Sequence, residues 1–175
     1  MKIIKILGLV LLIVVVMGLV SAAFIKKDFH FEKSIDINAS RESVWQNVVL
    51  FENHEKWSQW KKIDPAMKVV ISGTDGEVGA KMSWTSNHDD VGNGSQTITA
   101  VMPGQRVDSE LDFDGKGKAK TYMAIDGDST KSKATWALDM HLDYPFNLFG
   151  AMFAEKGMND MFDKGLGMLK ETCEK

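Results

Sequence analysis

Only one residue of this chain is a cysteine, Cys173, so no disulfide can form within it. A lone thiol near a chain end also makes no metal or redox motif. Plenty of exported domains lack disulfides, so this scarcity leaves the compartment open. The nucleophile elbow, the phosphate loop, the dinucleotide fingerprint and the zinc signatures are all absent from the sequence. No cofactor and no metal ion is therefore expected. The first 27 residues hold no aspartate or glutamate. All 24 acidic residues fall in 28–175, beside 17 of the 21 basic ones, and 17 − 24 leaves that part at −7. Such a surface repels phosphate backbones, which argues against nucleic acid as a partner.

What the start of the chain does have is apolar length. Ile6 to Ile25 is an uncharged run of 20 residues, rich in Leu, Ile and Val. At about 1.5 Å per residue that is enough helix to cross a hydrocarbon core of roughly 30 Å. Lys2 and Lys5 precede the run, and Lys26-Lys27 stops it. Residues 1–27 are read as a single-pass membrane anchor. The alternative is a cleaved signal peptide, since Ser21-Ala22-Ala23 offers small residues at a cleavage site. The run exceeds the usual apolar region of about 7–15 residues, which favours retention. Flanking lysines on both sides give no clean inside end. The signal-like start leans toward an extracytoplasmic domain.

Residues 28–175 have the length of one domain with its own core. Phe29 to Ile37 alternates apolar and polar, with one polar slip at Lys33, and reads as a half-buried strand. Ser40 is a helix N-cap, with Val44, Trp45, Val48 and Val49 at helical spacing behind it. A second short helix is expected over 53–58, with Trp57 and Trp60 three residues apart. Strands are then predicted over 67–72, 80–86, 95–101, 106–113, 118–126 and 133–143, separated by turn signals such as Gly92-Asn93-Gly94 and Pro103-Gly104. Their alternation gives one wet and one dry face. The dry phase carries Met82, Trp84, Ser109, Leu111, Phe113, Thr121, Met123, Trp136, Leu138 and Met140.

The cover for that face is a long amphipathic helix predicted over 147–172. Phe149, Met152, Phe153, Met158, Met161, Phe162, Leu166 and Leu169 recur at three- and four-residue spacing. Gly150, Gly157, Gly165 and Gly167 each lower its intrinsic stability by up to about 1 kcal/mol, so packing must hold it. The expected class is α+β, with a curved antiparallel sheet of about six to seven strands on a C-terminal helix.

Several local sequences support a more specific identification. They are Ser34-Ile-Asp-Ile-Asn-Ala-Ser40 with Val44-Trp45, then Trp57-Ser-Gln-Trp60 and Asp64-Pro65-Ala-Met67. Next come Val78-Gly79-Ala-Lys-Met-Ser-Trp84, Gly92-Asn-Gly94, Ala134-Thr-Trp136 and Phe162-Asp-Lys-Gly165-Leu166. In this order they resemble the START-like (SRPBCC) superfamily, in its polyketide cyclase/dehydrase-like branch, over roughly Phe29 to Lys170. The resemblance implies the helix-grip fold, with a deep apolar cavity between sheet and long helix. It implies an entrance near Trp57 and Trp60. Bilayer contact is the other reading of those two tryptophans, which favour the membrane interface. It says little about the ligand, because one fold serves many roles.

The residues expected to line that cavity are Trp57, Trp60, Met82, Trp84, Ser109, Leu111, Phe113, Thr121, Met123, Trp136, Leu138, Met140, Phe149, Met152 and Phe153. No catalytic residue stands out. Asp108, Glu110, Asp112 and Asp114 alternate on a wet face rather than converging in a cleft. His88-Asp89-Asp90 lacks the ordered spacing of a calcium loop. A plain surface role is the default reading of His54, which is also the one histidine to watch as a proton-transfer group, near Glu55 and Trp57 at the expected cavity mouth. Three readings follow. The first is a membrane-anchored module binding a lipid or other hydrophobic small molecule. The second is a cyclase or hydrolase of aromatic or polyketide substrates. The third is a ligand-free structural or stress-response partner module.

Overall fold

A computed structural model describes residues 2–175, the side chains of Lys2, Phe149 and Phe153 excepted. Helix α1 spans Lys2–Ala22. Among the described residues it is the one helix long and apolar enough to cross a membrane, a property shared by anchors and signal sequences.

Strand β1 (Asp28–Ile37) follows after only five residues. Helices α2 (Arg41–Val49), α3 (Phe51–His54) and α4 (Gln59–Ile63) lead into strands β2 (Lys68–Ser72), β3 (Lys81–Thr85), β4 (Gly94–Met102), β5 (Arg106–Asp112), β6 (Lys118–Gly127) and β7 (Ser132–His141). The chain closes with α5 (Asn147–Phe149), a π-helical turn Gly150–Ala154, and α6 (Glu155–Cys173). All seven strands form one antiparallel, curved sheet in the order β1-β7-β6-β5-β4-β3-β2. A bulge shifts the β4–β5 register between Ile98 and Ala100, and a bulge there bends the strand.

The core lies where α2 and α6 press on the dry face. Phe162, Leu166 and Leu169 of α6 and Val44 and Val48 of α2 meet Ile37, Ile98, Ile125 and Ala134 of the sheet, all buried. The polar slip in β1 has a cause. Lys33 points to the helix side, and its Nζ bonds Asp163 Oδ2 on α6 at 2.6 Å.

Ser40 caps α2 as expected, accepting from the Ser43 N–H at 3.2 Å. The second helical piece differs from expectation. It is two helices, with the 55–58 link between them. Leu50 cannot cap α3 with an apolar side chain, so Asp75 does it from the β2–β3 turn. Its carboxylate accepts from the Phe51 and Glu52 N–H groups at 2.9 and 3.0 Å. Ser58 caps α4 through the Lys61 N–H.

The C-terminal helix is likewise not uniform. Its π turn widens the spiral and shifts later side chains around the axis. A methyl group on Gly150 would come within 2.5 Å of Leu142 and 2.9 Å of Phe29, so only glycine lets this turn lie so close to β1.

Candidate ligand cavity

Between the sheet and α6 lies a cavity of ≈ 350 Å³. Strands β3 to β7 form its floor, Met158 and Met161 of α6 its roof, and the α3–α4 segment one wall. Of the expected lining residues, twelve border it: Trp57, Trp60, Met82, Trp84, Ser109, Leu111, Phe113, Thr121, Met123, Trp136, Leu138 and Met140. Met152 does not. It sits in the π turn and is 64% exposed, because that turn rotates it off the stripe that covers the sheet. Phe149 and Phe153 lie outside the described side chains.

The aromatic walls are held by specific contacts. Trp136 lies against Phe162 and edge-on to Trp57, with ring centroids 5.1 and 6.1 Å away. Its indole N–H donates to Thr121 Oγ1 at 2.9 Å, and the Thr121 hydroxyl donates to the Ala137 carbonyl at 2.7 Å. Thr121 is therefore engaged in holding Trp136. The Trp57 indole donates to the Asn47 carbonyl at 2.9 Å, which fixes that ring inside the core rather than at the entrance. Trp84 crosses β4 at Gly94, where a methyl group would meet the indole at 2.4 Å.

Few inward polar groups remain. Ser109 is 3% exposed, and its hydroxyl has no hydrogen-bond partner among the described residues. Gln96 also borders the cavity, opposite Leu111 on β5. Sequence reasoning missed Gln96, although it shares the inward phase of Ile98 two residues on. Gln59 Nε2 donates to the Met161 carbonyl at 3.3 Å and ties α4 to α6. At the mouth stand the exposed Glu55, Trp60 and Asp90.

His54 borders the same space. Its Nε2 is 2.8 Å from the Val48 carbonyl, so that nitrogen carries the proton and donates. Phe51 and Trp57 flank the ring, with centroids 5.3 and 4.9 Å away. Burial pushes its pKa below the ordinary histidine value, against the raising effects of the Val48 carbonyl and Asp75. The neutral ring is the folded form. On acidification through about pH 6.5 the unfolded chain takes up a proton that folded His54 resists, so this group's contribution to stability is lost as pH falls. His54→Gln retains a donor for Val48. Denaturant titrations at pH 7.5 and 5.5 should show a smaller acid loss in this variant than in the wild type. Equal losses would mean that His54 ionises freely.

The other histidines lie outside the cavity. His30 and His141 are exposed and pair with Asp139 and Asp28, each at 2.7 Å. Among the described residues no cluster of His, Cys, Asp or Glu has the form of a metal site.

Residues 28–174 match the family described as polyketide cyclase/dehydrase and lipid transport. The chain belongs to that family. No curated protein matches it. Solved structures share its helix-grip, START-like fold. Ara h 8.0201 is 16% identical with a TM-score of 0.57, over 82% of this chain and 99% of its own. Truncated norcoclaurine synthase from Thalictrum flavum is 13% identical with a TM-score of 0.60, over 85% and 95%. The Aha1 dimer from Colwellia psychrerythraea is 16% identical with a TM-score of 0.58, over 83% and 96%. Identities this low speak for fold alone, and this family's common fold carries more than one activity.

Proposed function

We propose that this family member is a membrane-anchored binding module that holds a lipid or other hydrophobic small molecule between its sheet and α6. The observation that carries the reading is the cavity lining. Trp84, Trp136, Met82, Met123, Leu111 and Leu138 surround a volume within the range of about 300–1,000 Å³ typical of small-molecule sites. Methionines there adapt to varied apolar shapes. The apolar α1 favours a ligand drawn from a membrane. An enzyme of the cyclase type would need convergent, unengaged polar groups. Here the Thr121 and Trp57 polar atoms are bonded within the protein and His54 donates its Nε2–H to the Val48 carbonyl, which leaves Ser109 and Gln96 as the inward polar groups beneath the mouth.

The test is mass spectrometry of the full-length chain released from non-ionic detergent in the gas phase, followed by organic extraction. A single adduct at one molecule per chain is expected, with an apolar chemical class. A bare chain mass, unchanged after incubation with phospholipids, fatty acids and isoprenoids, would overturn the proposal and favour the ligand-free partner module.

A further inference from the structure

The junction between α1 and the domain is built, and this inference rests on the anchor reading of α1. Only five residues separate α1 from β1. Asn147, fully buried at the start of α5, donates its amide hydrogens to the Ala22 and Ile25 carbonyls at 2.7 and 2.9 Å. The Ala22 carbonyl at the helix end accepts from the Ile25 N–H at 3.3 Å, and Asn147 adds a second donor from 125 residues away. The Leu142 N–H donates to the Lys27 carbonyl at 2.8 Å and closes the same corner.

Around this corner apolar side chains face solvent. Phe24 is 87% exposed, Phe146 64%, Met152 64% and Tyr144 46%. Lys26 and Lys27 lie beside them, Lys27 within 3.8 Å of Asp143. Aromatic and basic side chains at the end of an apolar helix suit the headgroup–acyl boundary of a bilayer.

Strand register places the cavity mouth at this same end. Asp28 pairs with His141, Asp112 with Lys118, Ser95 with Asp112, and Ser83 with Ser95. The start of β1, the end of β7 and the β3–β4 loop therefore share one edge of the sheet. Asp90 and Val91, at the mouth, belong to that loop. We infer that this end of the domain, through Phe24, Tyr144, Phe146 and Met152, sits in the interface of the bilayer that α1 enters, so that the cavity opens toward the adjacent leaflet. The occupant of this apolar patch is a phospholipid surface.

The experiment uses the full chain, with Cys173→Ala, in phosphatidylcholine nanodiscs. Nitroxide labels go singly on Phe146→Cys, Met152→Cys, Val14→Cys within α1, and Ser129→Cys in the β6–β7 turn at the far end. Relative exposure to oxygen and to a water-soluble nickel chelate reports depth. The 146 and 152 labels should favour oxygen several-fold more than 129 and less than 14. Values at 146 and 152 equal to 129, with 14 deep, would overturn the docking surface and leave the anchor standing. A label at 14 as wet as 129 would overturn the anchor and the docking surface together.

Discussion

Gly165→Ala should destabilise the protein, although alanine is the better helix former. Replacing glycine in a helix gains about 1 kcal/mol in propensity. At Gly165 the added methyl would stand 2.5 Å from Cζ3 of Trp136. That ring cannot retreat without loss, because its N–H is held by Thr121 and it packs against Phe162 and edge-on to Trp57. Overpacking costs about 1–3 kcal/mol, and an orphaned buried N–H about as much again. The net, after the propensity gain of about 1 kcal/mol, is about 1–5 kcal/mol of destabilisation, or about 2–20 °C in Tm for a chain of this size. Gly157→Ala and Gly167→Ala have the opposite sign. Beyond the helix's own backbone no atom lies within 4 Å of either added methyl, so each should gain about 0.5–1 kcal/mol. Calorimetry on the three variants checks the pattern. A Gly165→Ala variant as stable as the other two would mean that α6 does not rest on Trp136 in solution.

This contrast marks the limit of what was legible in the sequence. Four glycines in one amphipathic stretch read as uniform weakness, to be offset by packing. In the fold they divide by contact: Gly150 and Gly165 admit Phe29, Leu142 and Trp136, while a methyl on Gly157 or Gly167 would meet nothing beyond its own helix backbone. Strand phase was legible because alternation is a local property, and every inward residue expected on β5, β6 and β7 between Val107 and Met140 faces the core or the cavity. Lys33 broke the phase on paper only, since its partner Asp163 is 130 residues away. The α3–α4 division was not legible. It depends on a cap from Asp75 and on the Trp57 bond to Asn47, and neither leaves a periodic trace. Met152 was misplaced for a related reason. A π turn shifts the helical phase, and side-chain spacing in the sequence continues as though the turn were absent.

The same distinction between filled and open space decides whether the cavity binds anything. Ser109→Leu is expected to stabilise the protein and to abolish ligand retention at once. Ser109 is buried, borders the cavity, and has no partner for its hydroxyl among the described residues. Leucine at this position would lose no hydrogen bond. It would place apolar atoms into open volume beside Leu111 and Val107 on the same strand, a burial that stabilises by about 1–2 kcal/mol where no neighbour must move. The space it takes is removed from any ligand. A loss of only about 1.4 kcal/mol in ligand affinity is tenfold, so the adduct carried by the wild type should fall at least tenfold. Thermal unfolding and adduct mass, measured on one preparation, read both effects. A higher Tm with the adduct undiminished would place the ligand elsewhere than this cavity. A lower Tm would mean that the space beside Ser109 is already filled in solution, and that the serine is a packing residue in a closed core.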